Sequence, residues 1–399
     1  MYKQNSNFCI FTPDAISEKM ASFLHKNGSL LDPAVGTGNL LKFVNIENYK
    51  IDVYDINAEF LKEISLNIEK KNKDFLLDDI EKKYDNIIMN PPYVRIQDLE
   101  ENYKIKIIEL FNLKGNIDIY QAFLLKCCGL LKDQGIISCI IPNSWIYTKS
   151  SEKLREFLLE KRLISEIIDF DDKKIFEGIS VYTSILVIKK CDKDFFIYNS
   201  IKINYDSIDS NDMLGKIPKG KKLSEKVKIK NGIATLADKI FIKKIPLDNC
   251  WKPIFDFKKE QNYVLYPYEN GKLIPEKEFE KKYPATYEYL LKNKKDLLKR
   301  DSGKIPEKKW YGFGREQAIQ ISKAENVLYI PNIMNPKKPI IVKAKPTLFK
   351  NCLMIESEMD LNELKEKILS QIELLKDISQ KKSSGYISIT TTNLLKLSL

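Results

Sequence analysis

The stretch IIMNPPYVRI, residues 87–96, begins as an apolar run suited to a buried strand and stops at Asn90, two prolines and Tyr93. Each proline fixes its own φ and drives the residue before it towards extended geometry. Asn90 and Pro91 are therefore expected to be extended, with little local freedom. A strand ending in a rigid turn that carries an amide and an aromatic ring is either a plain terminator or part of a site. The rest of the chain decides between the two.

Upstream and downstream of this run, apolar segments alternate with amphipathic ones. SLLDPAV, YKIDVYDIN, YDNIIMN, GIISCIIP, ISEIIDF and YTSILVIKK read as strands, and AEFLKEISLNIEKK, IDIYQAFLLKCCGLLK and SSEKLREFLLEKR as helices. Strands alternating with helices predict an α/β class with a doubly wound, mainly parallel sheet. The polar stretch over residues 204–222 reads as a linker, which sets domains at 1–221 and 222–399. The second is irregular, rich in short apolar pieces, Pro and Tyr, with one clear late helix, LNELKEKILSQIELLKDIS. It reads as a mixed α+β domain.

Bulk composition narrows the function. At 43% hydrophobic and 30% charged, the 399 residues are ordinary globular material. The N-terminus shows no basic stretch followed by an apolar run, and GIISCIIPNSWI is broken by Pro142 and Asn143, so neither a leader nor a membrane span is expected. The seven cysteines are scattered without zinc spacing, which suggests no metal and a reducing, cytoplasmic setting. His25, on the first predicted helix, is the only histidine and reads as structural, which all but excludes a His-based nuclease or a catalytic triad. No acidic pair followed by Glu-x-Lys, and no extra length, points to a cleavage domain. Residues 1–200 hold 27 Lys+Arg against 30 Asp+Glu, whereas residues 201–399 hold 39 against 25. A basic second half points to a polyanion.

The chemistry concentrates at strand ends. In LLDPAVGTGNLL, Gly36 and Gly38 let the backbone pass close to a ligand, and Asn39 to Phe43 can begin a helix facing it. Asp55 follows 19 residues after Gly36, at the end of the next strand, where a carboxylate can accept from ribose hydroxyls. Asp74 could meet an adenine amine, with Phe75 against its ring. The third glycine of a dinucleotide fingerprint is missing, which disfavours nicotinamide and flavin. In an open α/β sheet the ligand sits beyond the carboxyl ends of the strands, so NPPY should project into the same crevice. The Asn90 amide oxygen and the Pro91 carbonyl are two fixed acceptors suited to an amine, Pro92 stiffens the turn, and Tyr93 offers a face for a base.

FTPDAISEKM, DPAVGTGNLL, YDIN, DFLL and NPPY, in that order, resemble the S-adenosylmethionine-dependent N6-adenine DNA methyltransferases of the gamma arrangement, the TaqI-like group of restriction-modification systems. NGIATLADKIFI (231–242) and KKWYGFGREQ (308–317) resemble parts of that group's target-recognition domain. The resemblance implies a Rossmann-like methyltransferase fold and methyl transfer to a base flipped out of double-stranded DNA. By position it places Thr12 and Pro13 over the methionine part of the cofactor. Asp32, Pro33, Ala34, Gly36 and Gly38 line that cofactor, Asp55 and Ile56 lie at the ribose, and Asp74 and Phe75 at the adenine. Asn90, Pro91, Pro92, Tyr93 and Phe176 hold the target base. Arg315, with Trp310 and Tyr311 beside it, is expected to contact DNA. A monomer is expected, with any cognate restriction endonuclease encoded separately. NPPY also occurs in enzymes acting on cytosine N4, RNA or protein glutamine, and a non-catalytic specificity subunit is a further alternative.

Overall fold

The computed structural model describes residues 11–113, 115, 117–176, 181–189, 193–218, 220–257 and 261–399. It divides into two compact units, Met1–Lys216 and Ile217–Leu399.

In the first unit the apolar runs form strands β1 (Gly28–Asp32), β2 (Tyr49–Tyr54), β3 (Glu69–Lys71), β4 (Tyr84–Met89), β5 (Leu131–Pro142), β6 (Ile164–Asp169), β7 (Thr183–Ile188), β8 (Phe195–Tyr198) and β9 (Ile201–Asn204). They join in one sheet ordered β3-β2-β1-β4-β5-β7-β6-β8-β9. Pairing is parallel from β3 through to β5, and β7 runs antiparallel between β5 and β6. Side chains alternate across the sheet. Leu31, Ile87 and Ile141 face one buried cluster, while Leu30, Ile88 and Ile140 face the other. Both faces are covered, which explains why β4 and β5 read as continuous apolar runs. The order turns away in both directions from β1, so a crevice opens at the carboxyl ends of β1 and β4.

Helices α1 (Asp14–Ala21), α2 (Ala58–Glu63), α3 (Glu101–Phe111), α4 (Tyr120–Leu130) and α5 (Glu152–Glu160) accompany the sheet. Three local expectations change. The helix expected over residues 58–71 stops at Glu63, and Glu69–Lys71 instead pairs with Asp52–Tyr54 as an edge strand. Ladder hydrogen bonds to β2 outweigh the amphipathic pattern there. His25 lies beyond α1. Its backbone N–H donates to Asn86 Oδ1 at 2.7 Å and its Nε2 sits 2.9 Å from the Gln134 carbonyl. Residues Asn39–Phe43 form a short 3-10 turn and begin no longer helix.

The second unit contains two four-stranded sheets. One orders Val227–Asn231, Cys352–Ser357, Val327–Pro331 and Val342–Ala344, all antiparallel. The other contains Ile242–Lys243, Asn262–Leu265, Trp251–Phe255 and Leu348–Phe349. The single late helix expected over 361–379 is split into Leu361–Ser370 and Ile372–Ile378. Gln371 causes the break, its amide bonding the Lys367 and Ser398 carbonyls and the Ser398 N–H. No helix among the described residues is long and apolar enough to cross a membrane.

Candidate active site

The loop after β1 is shaped by its glycines. Gly36 and Gly38 have φ of +54° and +86°, a left-handed conformation that costs glycine nothing in side-chain clash. This turn carries Val35 N–H to the Tyr54 carbonyl at 3.0 Å and Gly36 N–H to Asp55 Oδ2 at 2.9 Å. Asp55 Oδ1 accepts from Asn57 N–H at 2.8 Å. One carboxylate thus fastens the glycine loop to the turn after β2. Burial raises its pKa, opposed by the donors from Asn57 and Gly36.

These turns open into a cleft of about 780 Å³ including its mouth. Of the residues singled out in the sequence, Thr12, Pro33, Ala34, Gly36, Asp55, Ile56, Asp74, Phe75, Asn90, Pro91 and Pro92 line it. Asn39, expected to face the ligand, also lines it, and the sequence reading missed Phe11, Phe60, Lys73 and Phe123. Adjacency to Thr12 could have flagged Phe11. Nothing local marks Phe123, which arrives from α4. Pro13 instead caps the start of α1, and Gly38 shapes the turn without lining the cleft. Phe75 is 2% exposed, edge-on to Tyr54 and stacked on Phe123 at 5.4 Å, so it forms a wall backed by the core.

Asp32, at the end of β1, is fully buried. Its Oδ1 accepts from Ala34 N–H at 3.1 Å, and among the described residues its Oδ2 has no hydrogen-bond partner. Burial, with the nearby Asp55 charge adding to it, pushes this carboxyl up to about 8. A buried acid with an unmatched oxygen beside the glycine loop fits a ligand that brings a donor or a positive charge. Carboxylates interleaved with Ile56, Phe60 and Phe75 suit a nucleoside, whose hydroxyls and amine need acceptors and whose ring needs apolar walls.

Asn90 follows β4 and enters the same cleft. Its Nδ2 donates to Thr12 Oγ1 at 3.1 Å, which orients the amide. Pro91 is buried behind it. Tyr93 donates its hydroxyl to the Ile140 carbonyl at 2.9 Å, and burial holds that hydroxyl well above the usual tyrosine range. Its ring lies 6.4 Å from Tyr120 and 6.4 Å from Phe176. Phe176, 3% exposed, precedes β7, so these rings form an aromatic cluster that does not line the Asn90 cleft.

In the second unit Trp310 and Tyr311 belong to the core, at 0% and 2% exposure. Their polar atoms donate to Glu276 Oε1 at 2.8 Å and to the Ile274 carbonyl at 2.6 Å. This corrects the expectation that Trp310 and Tyr311 contribute to DNA contact beside Arg315; the interior satisfies both their apolar and polar atoms. Arg315 is exposed.

A parallel sheet wound both ways from β1, with β7 reversed beside β5, defines a Rossmann-like methyltransferase fold, here followed by a second, mixed α and β unit. Residues 18–176 match the family model described as Eco57I restriction-modification methylase. The chain is 33% identical over 233 residues to the Type II methyltransferase M.BanIII of Aneurinibacillus aneurinilyticus, covering 48% of this chain and 40% of that protein. It is also 33% identical over 209 residues to the Type II methyltransferase M.HincII of Haemophilus influenzae, covering 49% and 39%. The match thus spans about two-fifths of the length of these relatives. In fold, 95% of the chain superposes on 63% of the Type IIL restriction-modification enzyme MmeI in complex with DNA, with a TM-score of 0.64 and 13% identity.

Proposed function

We propose that this chain is a site-specific DNA methyltransferase that moves a methyl group from S-adenosylmethionine to the N6 amine of a flipped-out adenine, as the modification activity of a restriction system. The observation that carries this reading is the Asn90 amide, oriented by Thr12 within the cleft that Asp55 and Asp74 also line. The relatives named Type II methyltransferases support the reaction class. The basic second half supports a nucleic-acid substrate.

S-adenosylmethionine, when bound, would supply an electrophilic methyl group. Asp55 would accept from ribose hydroxyls while keeping the glycine loop closed, and Asp74 would accept from the adenine amine of the cofactor. Asp32, protonated near neutral pH, would offer its unmatched Oδ2 to a hydrogen bond beside the glycine loop. At the target, an exocyclic adenine amine is a poor nucleophile because its lone pair is delocalised into the ring. Asn90 Oδ1 and the Pro91 carbonyl would accept its two hydrogens and favour a tetrahedral nitrogen, stabilising charge as it develops. The turn is fixed before substrate arrives, so little ordering is needed. Tyr93 and Phe176, which the resemblance puts at the target base, form an aromatic cluster outside this cleft and would brace the turn that carries Asn90. Residues 1–221 would carry catalysis and residues 222–399 target recognition.

The test incubates the full chain and labelled S-adenosylmethionine with plasmid DNA, then digests the DNA to nucleosides. Label in N6-methyldeoxyadenosine is the expected result. Label in N4-methyldeoxycytidine, or in RNA or protein supplied in parallel reactions, would overturn the acceptor assignment, and cofactor binding without transfer to any of them would make the chain a specificity subunit.

A further inference from the structure

In the second unit, Leu236 combines two features that rarely coincide. It is 41% exposed, and its φ is +56°. The left-handed region is unfavourable for a bulky L-residue, and glycine or asparagine is the ordinary occupant. An exposed leucine recovers little of that strain through burial. Strain kept at an exposed position points towards use.

The surroundings hold Leu236 firmly. Thr235 is buried, and its Oγ1 accepts from Ala237 N–H at 3.1 Å and donates to Asp238 Oδ1 at 2.6 Å. Gly314 lies under the leucine, since a Cβ there would come within 2.5 Å of Leu236 Cγ. The two segments are laced together by Gly314 N–H to the Thr235 carbonyl and Arg315 N–H to the Ala234 carbonyl, both 3.1 Å. Arg300 ties the base of this structure. It is 5% exposed and spends its donors on the carbonyls of Leu297, Thr235, Gly312 and Trp310 at 2.6–2.9 Å. Arg315 emerges next to this clamp. Its guanidinium has no hydrogen bond or ion pair among the described residues, whereas neighbouring Glu316 is paired with Lys309. An exposed leucine at positive φ and an exposed arginine thus lie on adjoining segments joined by backbone hydrogen bonds.

We propose that Leu236 is a DNA-contacting tip that, with Arg315, reads base edges of the target duplex. The inference rests on the DNA-methyltransferase reading above. An apolar side chain meets the thymine methyl or a base step, and a guanidinium meets guanine acceptors or phosphate. The buried Arg300 ties the two segments together through their backbone carbonyls.

The experiment uses the full chain and variants Leu236→Gly and Leu236→Ala. The duplex probe carries the site found by sequencing modified bases in DNA of an expressing host, and a second set carries single-base changes in that site. Leu236→Gly is expected to raise Tm by a few degrees, because glycine accepts the positive φ, while Leu236→Ala is not. Both variants are expected to lose discrimination between the site and its single-base changes by about tenfold, with S-adenosylmethionine affinity within twofold of the parent chain. Discrimination retained in both variants would overturn the inference while leaving the methyltransferase reading intact. A parent chain that modifies no base in host DNA would instead remove the reading on which it rests.

Discussion

Thr12 Oγ1 accepts from Asn90 Nδ2 at 3.1 Å, so a residue ahead of the first helix orients the amide that follows β4. With Nδ2 committed, Oδ1 keeps its acceptor role. Thr12→Val preserves shape and removes the acceptor. The expected outcome is a fall in kcat of about tenfold, the scale of one lost hydrogen bond, with cofactor affinity little changed. Asn90→Ala should lower kcat by about two to three orders of magnitude. Single-turnover methylation and calorimetry with S-adenosylmethionine separate the two effects. A Thr12→Val enzyme with unaltered kcat would show that the amide is held by other means.

Asp55 carries two duties, since Gly36 N–H and Asn57 N–H both donate to its carboxylate. Asp55→Ala is therefore expected to weaken S-adenosylmethionine binding about ten- to a hundred-fold and to lower Tm as well. Asp55→Asn keeps one acceptor and should fall between. Calorimetry paired with thermal melting checks this; weaker binding with an unaltered Tm would mean the glycine loop closes without Asp55.

The buried carboxyl of Asp32 makes stability depend on pH. Its folded value, pushed up to about 8, lies far above the ordinary aspartate value of about 3.9. Between those values the folded chain holds a proton that the unfolded chain has released, so stability falls as pH rises through that window. Above about 8 both states are ionised and the slope vanishes. Asp32→Asn cannot titrate and should remove this slope, which is at most about 1.4 kcal/mol per pH unit. Urea unfolding of both proteins at pH 5, 6.5 and 8.5 is the measurement. Parallel curves would show that Asp32 ionises normally.

DNA affinity should depend steeply on salt, because residues 201–399 carry 39 Lys+Arg against 25 Asp+Glu. Each neutralised phosphate releases condensed counterion, and six to ten such contacts lower affinity by about 10³–10⁵ between 50 and 200 mM salt. Fluorescence anisotropy of a labelled duplex with the full chain reads the slope. A flat response would mean the basic surplus does not meet phosphate.

Much of the first unit was legible because its signals are local. The alternation of Leu30 and Leu31 or Ile140 and Ile141 across the sheet, the glycines at 36 and 38, and the prolines at 91 and 92 each act within a few residues of themselves. Steric limits on φ and the two-residue period of a strand suffice to read them. The sequence by itself therefore determined the strand order's raw material and brought Asn90, Asp55 and Asp74 forward as candidates. Only the tertiary structure decided which partners complete them. Thr12 reaches Asn90 across 78 residues, and Phe123 reaches Phe75 from α4. Pairing with β2 turned Glu69–Lys71 into a strand, and Ser398 ended a helix at Gln371. The core took Trp310 and Tyr311 inward and left Arg315 outside. Burial is set by what packs from elsewhere in the chain, and an aromatic ring carries the same local pattern whether it meets a core or a ligand.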